Sequence, residues 1–462
     1  MSLRALTDTI AAIATPHGIG SVAIVRLSGS ATPDILKKMT TLTTLKPNMI
    51  QFTRFLQANQ TVMDEGLVSF FKAPHSYTGD DVAELNCHGG YVVAKMLLER
   101  TIECGARLAG PGEFTQRAVV NGKLDLLQAE AVIDIIEAKT QPASTLSQHQ
   151  LAGESSKVIQ GFRQELLELI GHLEVHLDYP DEEDLHETAD YTTQLATMVA
   201  RIDDLLQSFQ TGRVYREGVL MVITGKPNVG KSSLLNTLLK ENRALVSEIP
   251  GTTRDTIEEW MQIEGVPFRL VDTAGIRAEV QDRVEAMGIY RAQAMTDQAD
   301  IVLLVLDAKT GLVSDDERLL KTLQSDKTIL IINKTDVTPS REQEMQKILQ
   351  ANYPTTERVA LSLTQHRGLG ELKHAIGQLV DRKLVKGHDI TGPILSNERQ
   401  QEKLWHARQS LQTVQESMQA GRPEDCWLID LRQALQSLSE MMGQDVSDEI
   451  LNHVFARFCV GK

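Results

Sequence analysis

The sequence predicts a multidomain protein in which an α/β domain with a mostly parallel sheet is inserted into an all-α helical domain, preceded by an α+β domain. Three observations support this. Short apolar, β-branched runs alternate with turns over roughly the first 110 residues. Apolar residues at helical spacing follow from Gln116 and return near Asn397. Between these helical parts, continuous apolar runs end in glycine-rich or polar turns, as in parallel sheets.

Composition sets the general class of the protein. The chain has 462 residues, 42% of them hydrophobic and 24% charged, which is typical of globular proteins with several domains. Its formal net charge of −15 repels nucleic acid, so an RNA contact would need a local basic patch or a partner. Four cysteines without metal-ligand spacing fit a reducing compartment. No apolar run is long enough to span a membrane, and we expect a cytoplasmic protein.

The N-terminal domain is predicted to be α+β. Strands are expected at 9–14, 22–27, 66–71 and 82–86, and a helix at 94–104. Gly18-Ile19-Gly20 superficially matches a dinucleotide-binding fingerprint. The β-branched residues that follow continue as a strand where that fingerprint needs a helix, so no dinucleotide site is predicted there. The polar segments at 88–90 and 111–115 are typical of loops with a helix cap.

Apolar stripes at helical spacing define the helical domain on both sides of the insert. They occupy 124–135, 158–173 and 195–205 before it, and 404–414, 428–438 and 450–458 after it. The helical period stops near Thr211 and Gly212. The predicted boundaries are 1–118, 119–214, 215–383 and 384–462. Two separate helical domains are the alternative, but insertion is favoured because neither half offers an obvious core of its own.

The strongest motif in the chain follows an apolar run at 219–223. It reads Gly225-Lys226-Pro227-Asn228-Val229-Gly230-Lys231-Ser232-Ser233 and opens an amphipathic helix. Glycines at this position let the backbone wrap around phosphates, with the helix N-terminus facing the anion. Lys231 would reach the β- and γ-phosphates, and the Ser232 hydroxyl would bind Mg²⁺. The motif predicts a nucleotide-binding P-loop.

A second phosphate-side motif ends the apolar run at 267–271. Its residues are Asp272-Thr273-Ala274-Gly275, where the aspartate can hold the Mg²⁺ shell and the Gly275 N–H can meet a γ-phosphate. Ile276 follows, where Ras-like enzymes carry a water-orienting glutamine, so water must be positioned by another group. The loop Ser247-Glu248-Ile249-Pro250-Gly251-Thr252-Thr253 supplies hydroxyls beside the phosphates, and Thr253 is the expected second Mg²⁺ ligand.

A third motif selects the base. The apolar run at 328–332 is followed directly by Asn333-Lys334-Thr335-Asp336. The Asp336 carboxylate can accept hydrogen bonds from N1–H and the exocyclic amine of guanine, whereas adenine has no donors in that arrangement. Three such motifs, in order and each at a strand end, predict a Ras-like GTPase domain that uses GTP as substrate.

Together with the terminal Cys459-Val460-Gly461-Lys462 and the N-terminal segments 81–90, 111–114 and 123–126, these motifs make the chain resemble the MnmE family of tRNA modification GTPases, also called TrmE. The resemblance covers essentially the whole chain. It implies a homodimer that acts on tRNA with the FAD protein MnmG. It also implies K⁺-stimulated GTP hydrolysis and use of 5,10-methylenetetrahydrofolate or 5-formyltetrahydrofolate.

The resemblance also assigns roles to residues of this chain. Lys231, Thr253 and Glu285 are expected to be catalytic, with Glu285 orienting water, and Ser362 and Leu363 back the base. The implied K⁺ ligands are Asn228, Ser247, Ile249 and Thr252. The implied folate contacts are Arg26, Glu84, Lys123 and Lys462, since basic groups suit a glutamyl tail and a carboxylate suits pterin donors.

Two alternative functions belong to other classes. One is a ribosome-assembly GTPase switch of the Era or Der type, which predicts association with ribosomal particles and no folate site. The other is a folate-dependent aminomethyltransferase with a regulatory G domain, which predicts one-carbon chemistry without MnmG.

Overall fold

The protein is described here by a computed structural model that covers residues 8–16, 18–179, 191–242, 258–272, 294–337, 339–385, 392–444 and 446–462. The chain divides into two compact units. The first comprises Met1–Ile133, Gln150–Met198 and Lys403–Lys462, and the second comprises Asp134–His149 and Val199–Glu402. The domain boundaries given above remain predictions.

The first unit contains a six-stranded sheet in the order β3-β4-β5-β2-β1-β6. Neighbouring strands are antiparallel except β1 and β6, which run parallel. The strands are β1 (Ile10–Ile13), β2 (Val22–Ser28), β3 (Ile50–Leu56), β4 (Val62–Phe71), β5 (Val82–His88) and β6 (Arg107–Leu108). The four strands expected in this region are confirmed, and the run after Gly20 continues as β2 rather than as a helix. β3 was not predicted because only Thr53 and Phe55 in it are buried, which gives a weak apolar alternation.

The larger core of this sheet lies on one face, and a smaller buried cluster of Ile10, Ala12, Ala109 and Phe114 lies at β1 on the other. Val25, Leu27 and Leu85 point from the strands into a buried cluster with residues of α1 (Thr32–Met39) and α2 (Tyr91–Glu103). Because side chains alternate along a strand, the intervening residues of β2 and β5 point to the opposite face. That open face carries the N-terminal site described below.

The second unit contains a six-stranded sheet in the order β12-β11-β10-β7-β9-β8. All neighbours are parallel except the β8–β9 pair. The strands are β7 (Val219–Thr224), β8 (Glu258–Ile263), β9 (Val266–Asp272), β10 (Ile301–Asp307), β11 (Thr328–Asn333) and β12 (Glu357–Ala360). β10 and β11 are buried along their whole length, as strands covered on both faces must be.

The β8–β9 hairpin turns on two residues with positive φ. Glu264 has φ 49° and Gly265 has φ 85°, so Ile263 pairs directly with Val266. Two consecutive positive φ values match the twist of antiparallel strands in a two-residue turn. The β8–β9 pair is therefore a tight hairpin.

The helices confirm the apolar stripes read from the sequence. Those after α2 are α3 (Glu113–Val120), α4 (Leu126–Glu137), α5 (Gln141–Leu151), α6 (Glu154–Asp178), α7 (Tyr191–Glu217), α8 (Lys231–Asn242), α9 (Ser314–Thr322), α10 (Pro339–Asn352), α11 (Leu369–Val380), α12 (Glu398–Gln419), α13 (Glu424–Met441) and α14 (Asp448–Phe455). Within the described ranges, none of these helices combines the length and apolarity that crossing a bilayer requires. The α+β, α/β and all-α parts of the predicted fold class are all present.

The expected helix end at Gly212 is wrong. α7 continues through Gly212 to Glu217. A Cβ atom on Gly212 would lie 1.9 Å from the carbonyl oxygen of Leu395, so the glycine lets the returning chain approach the helix backbone. The neighbouring Thr211 makes a separate contact, in which its hydroxyl donates to the Val385 carbonyl at 2.8 Å. The glycine serves close packing here and does not break the helix.

Candidate functional site

The P-loop connects β7, at the centre of the parallel sheet, to α8, which begins at Lys231. Two of its glycines are required by sterics. Gly225 has φ 140°, and a Cβ there would lie 2.4 Å from the Val305 carbonyl oxygen. Gly230 has φ 106°, and a Cβ there would lie 2.3 Å from Nδ2 of Asn333. The loop therefore fits tightly against the ends of β10 and β11.

Lys231 is held over this loop. Its Nζ donates to the carbonyl oxygen of Lys226 at 2.5 Å, and the residue is only 9% exposed. Ser232 and Ser233, the next two residues of α8, are exposed at the helix N-terminus. A helix start with free N–H groups, an ammonium and a hydroxyl is suited to a phosphate and its metal ion.

The base-selecting carboxylate is oriented by two hydroxyl groups. Ser362 Oγ donates to Asp336 Oδ1 at 2.7 Å, and Thr364 Oγ1 donates to Asp336 Oδ2 at 3.1 Å. The Ser362 hydrogen bond is the main reason that the pKa of Asp336 lies below its usual value. The carboxylate is thus ionised and fixed, and each oxygen keeps a lone pair for a ligand donor. Thr364 follows the expected Ser362 and Leu363 in the same base-backing loop.

Asn333 and Lys334 tie the base-binding loop to the P-loop. Asn333 Nδ2 donates to the Val229 carbonyl at 2.8 Å, and Lys334 Nζ donates to the Asn228 carbonyl at 2.8 Å. Lys334 also pairs with Asp307 Oδ2 at 2.7 Å. Sequence reasoning missed Asp307, although it ends the buried β10 and the strand-end argument used for Asp272 applies to it equally.

The phosphate-side residues are only partly described. The last residue of β9, Asp272, has its backbone in register with Ile223, next to the P-loop. Eleven further predicted residues lie outside the described part of the chain, and their roles stay predictions. They are Ser247, Glu248, Ile249, Pro250, Gly251, Thr252, Thr253, Thr273, Ala274, Gly275 and Glu285.

The donors present fit the implied cations. Ser232 offers an exposed hydroxyl at the start of α8, the kind of oxygen that Mg²⁺ prefers. Asn228 is exposed and has φ 63°, and its side chain carries an amide oxygen, a ligand type that hard cations accept.

A second polar site lies on the open face of the first sheet. Arg26 and Glu84 face each other across β2 and β5. Arg26 donates from Nε and Nη2 to Glu84 Oε1 at 3.0 and 2.8 Å. The guanidinium also lies 5.9 Å from the Tyr77 ring centre and 5.8 Å from that of Phe114. Both of these hydrogen bonds use Oε1 of Glu84.

The C-terminal tetrapeptide completes this second site. Arg26 Nη1 donates to the Gly461 carbonyl at 3.1 Å, and the Lys462 carbonyl accepts from Phe114 N–H at 3.2 Å. Gly461 has φ 102°, and a Cβ there would lie 2.5 Å from the Ile13 carbonyl oxygen. Burial, followed by the Arg26 charge, lowers the pKa of the Lys462 ammonium.

Of the four predicted folate contacts, Arg26, Glu84 and Lys462 therefore lie in one cluster. The hydrogen bond of Lys123 is made elsewhere. Lys123 Nζ donates to the Pro74 carbonyl at 3.1 Å, on the loop that carries Tyr77. Tyr77 and Phe114 were missed because an aromatic residue near a loop carries no signal until its neighbour across the fold is known.

Known proteins match the chain over its whole length. Residues 9–123 match the family described as GTP-binding protein TrmE N-terminus, and residues 126–459 match the MnmE helical domain. The tRNA modification GTPase MnmE of Geobacillus kaustophilus is 42% identical over 98% of this chain and 99% of its own. The MnmE protein of Bacillus subtilis is 40% identical over 98% of this chain and 100% of its own.

Similarity to solved structures is weaker. The crystal structure of Aquifex aeolicus Era is 26% identical and covers 41% of this chain and 66% of its own, with a TM-score of 0.29, which is too low to support an argument. The sequence matches are sufficient without it. They cover nearly all of both chains at about 40% identity, and the chain belongs to the MnmE family of tRNA modification GTPases.

Proposed function

We propose that the protein is a K⁺-stimulated GTPase that works with MnmG to install an aminomethyl-type group, such as carboxymethylaminomethyl, at carbon-5 of the tRNA wobble uridine. A tetrahydrofolate supplies the one-carbon unit. Hydrolysis converts GTP and water to GDP and phosphate, and the free energy released drives conformational change rather than the modification chemistry.

One observation carries the GTPase part of the proposal. At the carboxyl ends of β7 and β11, Lys231 and the start of α8 face a phosphate position while Asp336 presents an oriented carboxylate to a base. Ligands in open parallel sheets bind at this edge. Asn333 and Lys334 hold the two halves of the site in a fixed relation, which suits a ligand that spans both.

The residues of this chain then have separate tasks. Lys231 keeps its hydrogen bond to the Lys226 carbonyl and directs its other N–H donors to the β- and γ-phosphates, whose growing negative charge it stabilises. Asp336 accepts from guanine N1–H and the exocyclic amine, so a nucleotide without these donors would leave a desolvated carboxylate unpaired. Glu285 orients the attacking water, a task that Ile276 cannot perform.

Two cations complete the proposed site. Ser232 and Thr253 hold Mg²⁺, which neutralises charge on the phosphates when bound. Asn228, Ser247, Ile249 and Thr252 hold K⁺ in place of an arginine finger. The test is GTP turnover at equal ionic strength in KCl and NaCl. Equal rates in the two salts would contradict the K⁺ part while leaving nucleotide binding intact.

The folate belongs to the site around Arg26. Glu84 accepts from the pterin ring through Oε2, while Lys462 and Lys123 attract the glutamyl carboxylates. The protein acts as a homodimer in the cytoplasm, and tRNA binding depends on MnmG because the net charge of −15 disfavours an independent nucleic-acid surface.

The tRNA role is tested by nucleoside mass spectrometry of wobble uridines from cells that lack the protein. We expect the modified uridine to be lost and to return with the wild-type gene but not with Lys231→Met. Unchanged modification in the deletion strain would overturn the tRNA role. Full rescue by Lys231→Met would show that GTP hydrolysis is not needed for it.

A further inference from the structure

A buried ion pair joins the P-loop to α9. Lys226 Nζ lies 2.8 Å from Asp316 Oδ2, and the two side chains are 19% and 1% exposed. Asp316 is in the first turn of α9, where Oδ2 also accepts from Val313 N–H at 3.2 Å. The carboxylate is thereby fixed to its own helix, and it offers the lysine a rigid partner.

The backbone of Lys226 holds the catalytic lysine. Its carbonyl oxygen is the 2.5 Å acceptor for Lys231 Nζ. The same residue therefore contacts the phosphate-binding lysine through its main chain and α9 through its side chain. The ion pair therefore restrains the same residue whose carbonyl oxygen contacts Lys231.

The remaining supports of the loop lie further along it. Lys334 and Asn333 bind the carbonyls of Asn228 and Val229, and both come from the base-binding side. In the described part of the chain, Asp316 is the side chain that fixes the beginning of the loop. Asp316 Oδ1 is buried without a hydrogen-bond partner there, so the lysine is the main compensation for this buried charge.

We propose that Asp316 and Lys226 are positioning residues for phosphate binding, acting as one unit that fixes the P-loop carbonyl beneath Lys231. This inference rests on the proposed GTP binding. It extends that proposal to Lys226 and Asp316, which are not among the predicted nucleotide contacts. Because the pair acts on the phosphate side alone, its loss weakens the binding of both GDP and GTP. The preference for guanine over adenine, which Asp336 sets, is unchanged.

The experiment measures dissociation constants of GDP, GTP and ATP by calorimetry on the full-length chain in Mg²⁺ buffer. Lys226→Met and Asp316→Asn should each weaken GDP and GTP at least about tenfold, the scale of one lost charge-assisted hydrogen bond. The double variant should bind no more weakly than the weaker single variant, since both remove the same interaction. Lys226→Arg, which keeps the charge but not the shape of the ammonium, should bind GDP and GTP more tightly than Lys226→Met.

A matched control separates positioning from stability. Lys373 pairs with Glu241 at 2.8 Å, with exposures of 26% and 41%. Lys373→Met removes a lysine ion pair of the same length that is more exposed and lies outside the P-loop, and it should leave all dissociation constants unchanged. Thermal unfolding is recorded for every variant. A lower Tm with unchanged GDP affinity for both Lys226→Met and Asp316→Asn would show a purely structural pair and overturn the inference.

Failure of the inference and of the proposed function are distinguishable. If the wild type binds no guanine nucleotide, the proposed function fails. If the wild type binds and both single variants bind equally well, only the positioning role fails. Should Lys226→Met not fold, Asp316→Asn, which keeps the shape and an acceptor for Val313, carries the test alone.

Discussion

At the scale of single residues, Asp336 shows how neighbours prepare a group for its ligand. Ser362 and Thr364 donate one hydroxyl to each carboxylate oxygen. The pKa of Asp336 is lowered chiefly by the Ser362 hydrogen bond, so the group stays ionised at all pH values near neutrality. The two hydroxyls also limit rotation of the carboxylate, which keeps both remaining lone pairs facing the base site.

Asp336→Asn should reduce GTP affinity at least about tenfold, since the amide presents a donor where guanine also donates. The same variant should gain relative affinity for xanthosine triphosphate, whose ring carries a carbonyl in place of the exocyclic amine. Competition binding with GTP and XTP measures both effects. Thr364→Val is the companion variant that keeps the carboxylate and should weaken GTP much less. An unchanged GTP-to-XTP ratio in Asp336→Asn would place the base elsewhere.

At the scale of elements, a buried ion network fastens α3 to β6. Glu113 Oε1 lies 2.6 Å from Arg107 and 3.1 Å from Arg117, and Glu113 Oε2 accepts from Gly110 N–H at 2.9 Å. Arg117 is 1% exposed. Burial by itself would raise the pKa of Glu113, but these donors together hold it below its usual value.

This network predicts a component of acid sensitivity. The folded-state pKa of Glu113 is lowered, so the ionised carboxylate stabilises the folded protein. This stabilisation is fully present above the unfolded-state pKa and is lost as pH falls through the folded-state pKa. Glu113→Gln should destabilise the protein by about 3 kcal/mol at neutral pH, as expected for breaking a buried pair. The difference from wild type should shrink below about pH 4, near the unfolded-state pKa of glutamate.

The pH dependence of the stability difference is measured from calorimetric Tm values of the wild type and Glu113→Gln between pH 3 and pH 7. Glu99 provides the matched control, because its contact with Lys95 is exposed and 3.8 Å long. Glu99→Gln should shift the Tm very little at any pH. A Glu113→Gln difference that stays constant from neutral to acid pH would show that the carboxylate charge is not the stabilising feature.

At the scale of the whole molecule, the last four residues of the chain fold into its first domain. Pro111 pairs with Val460 in a β-bridge, Gly112 N–H donates to the Cys459 carbonyl at 3.4 Å, and the Gly461 carbonyl accepts from Arg26. The chain end thus supplies part of the wall around the proposed folate position.

A chain that stops after Phe458 should lose 5-formyltetrahydrofolate affinity by at least about tenfold, because Arg26 loses an acceptor and the Lys462 ammonium is removed. GDP affinity should be unchanged. Calorimetry with each ligand tests this. Val460→Ala alters only an exposed side chain (48% exposed) and should bind folate as the wild type does. Equal folate affinity after truncation would place the folate away from the C-terminus.

The sequence by itself determined the features that depend on consecutive residues. The P-loop from Gly225 to Ser232 is recognisable because phosphate wrapping needs glycines, a lysine and a hydroxyl at fixed spacing within one turn and helix start. Fully buried strands such as β10 and β11 were predicted because both faces are apolar. The Glu264-Gly265 turn also depends on local chemistry, since glycine readily adopts a positive φ. The helix end predicted near Gly212 was wrong because close packing, and not turn geometry, requires glycine there.

Only the tertiary structure decided which distant residues meet. No local pattern links Lys226 to Asp316, Arg26 to Gly461, or Asp307 to Lys334, since each pair lies on elements that the sheet topology brings together. Sequence periodicity reports which face of an element is buried, but the partner of a polar side chain depends on strand order and on the path of the chain. For that reason the ligand-facing motifs could be predicted, while the ion pairs that hold them in place required the fold.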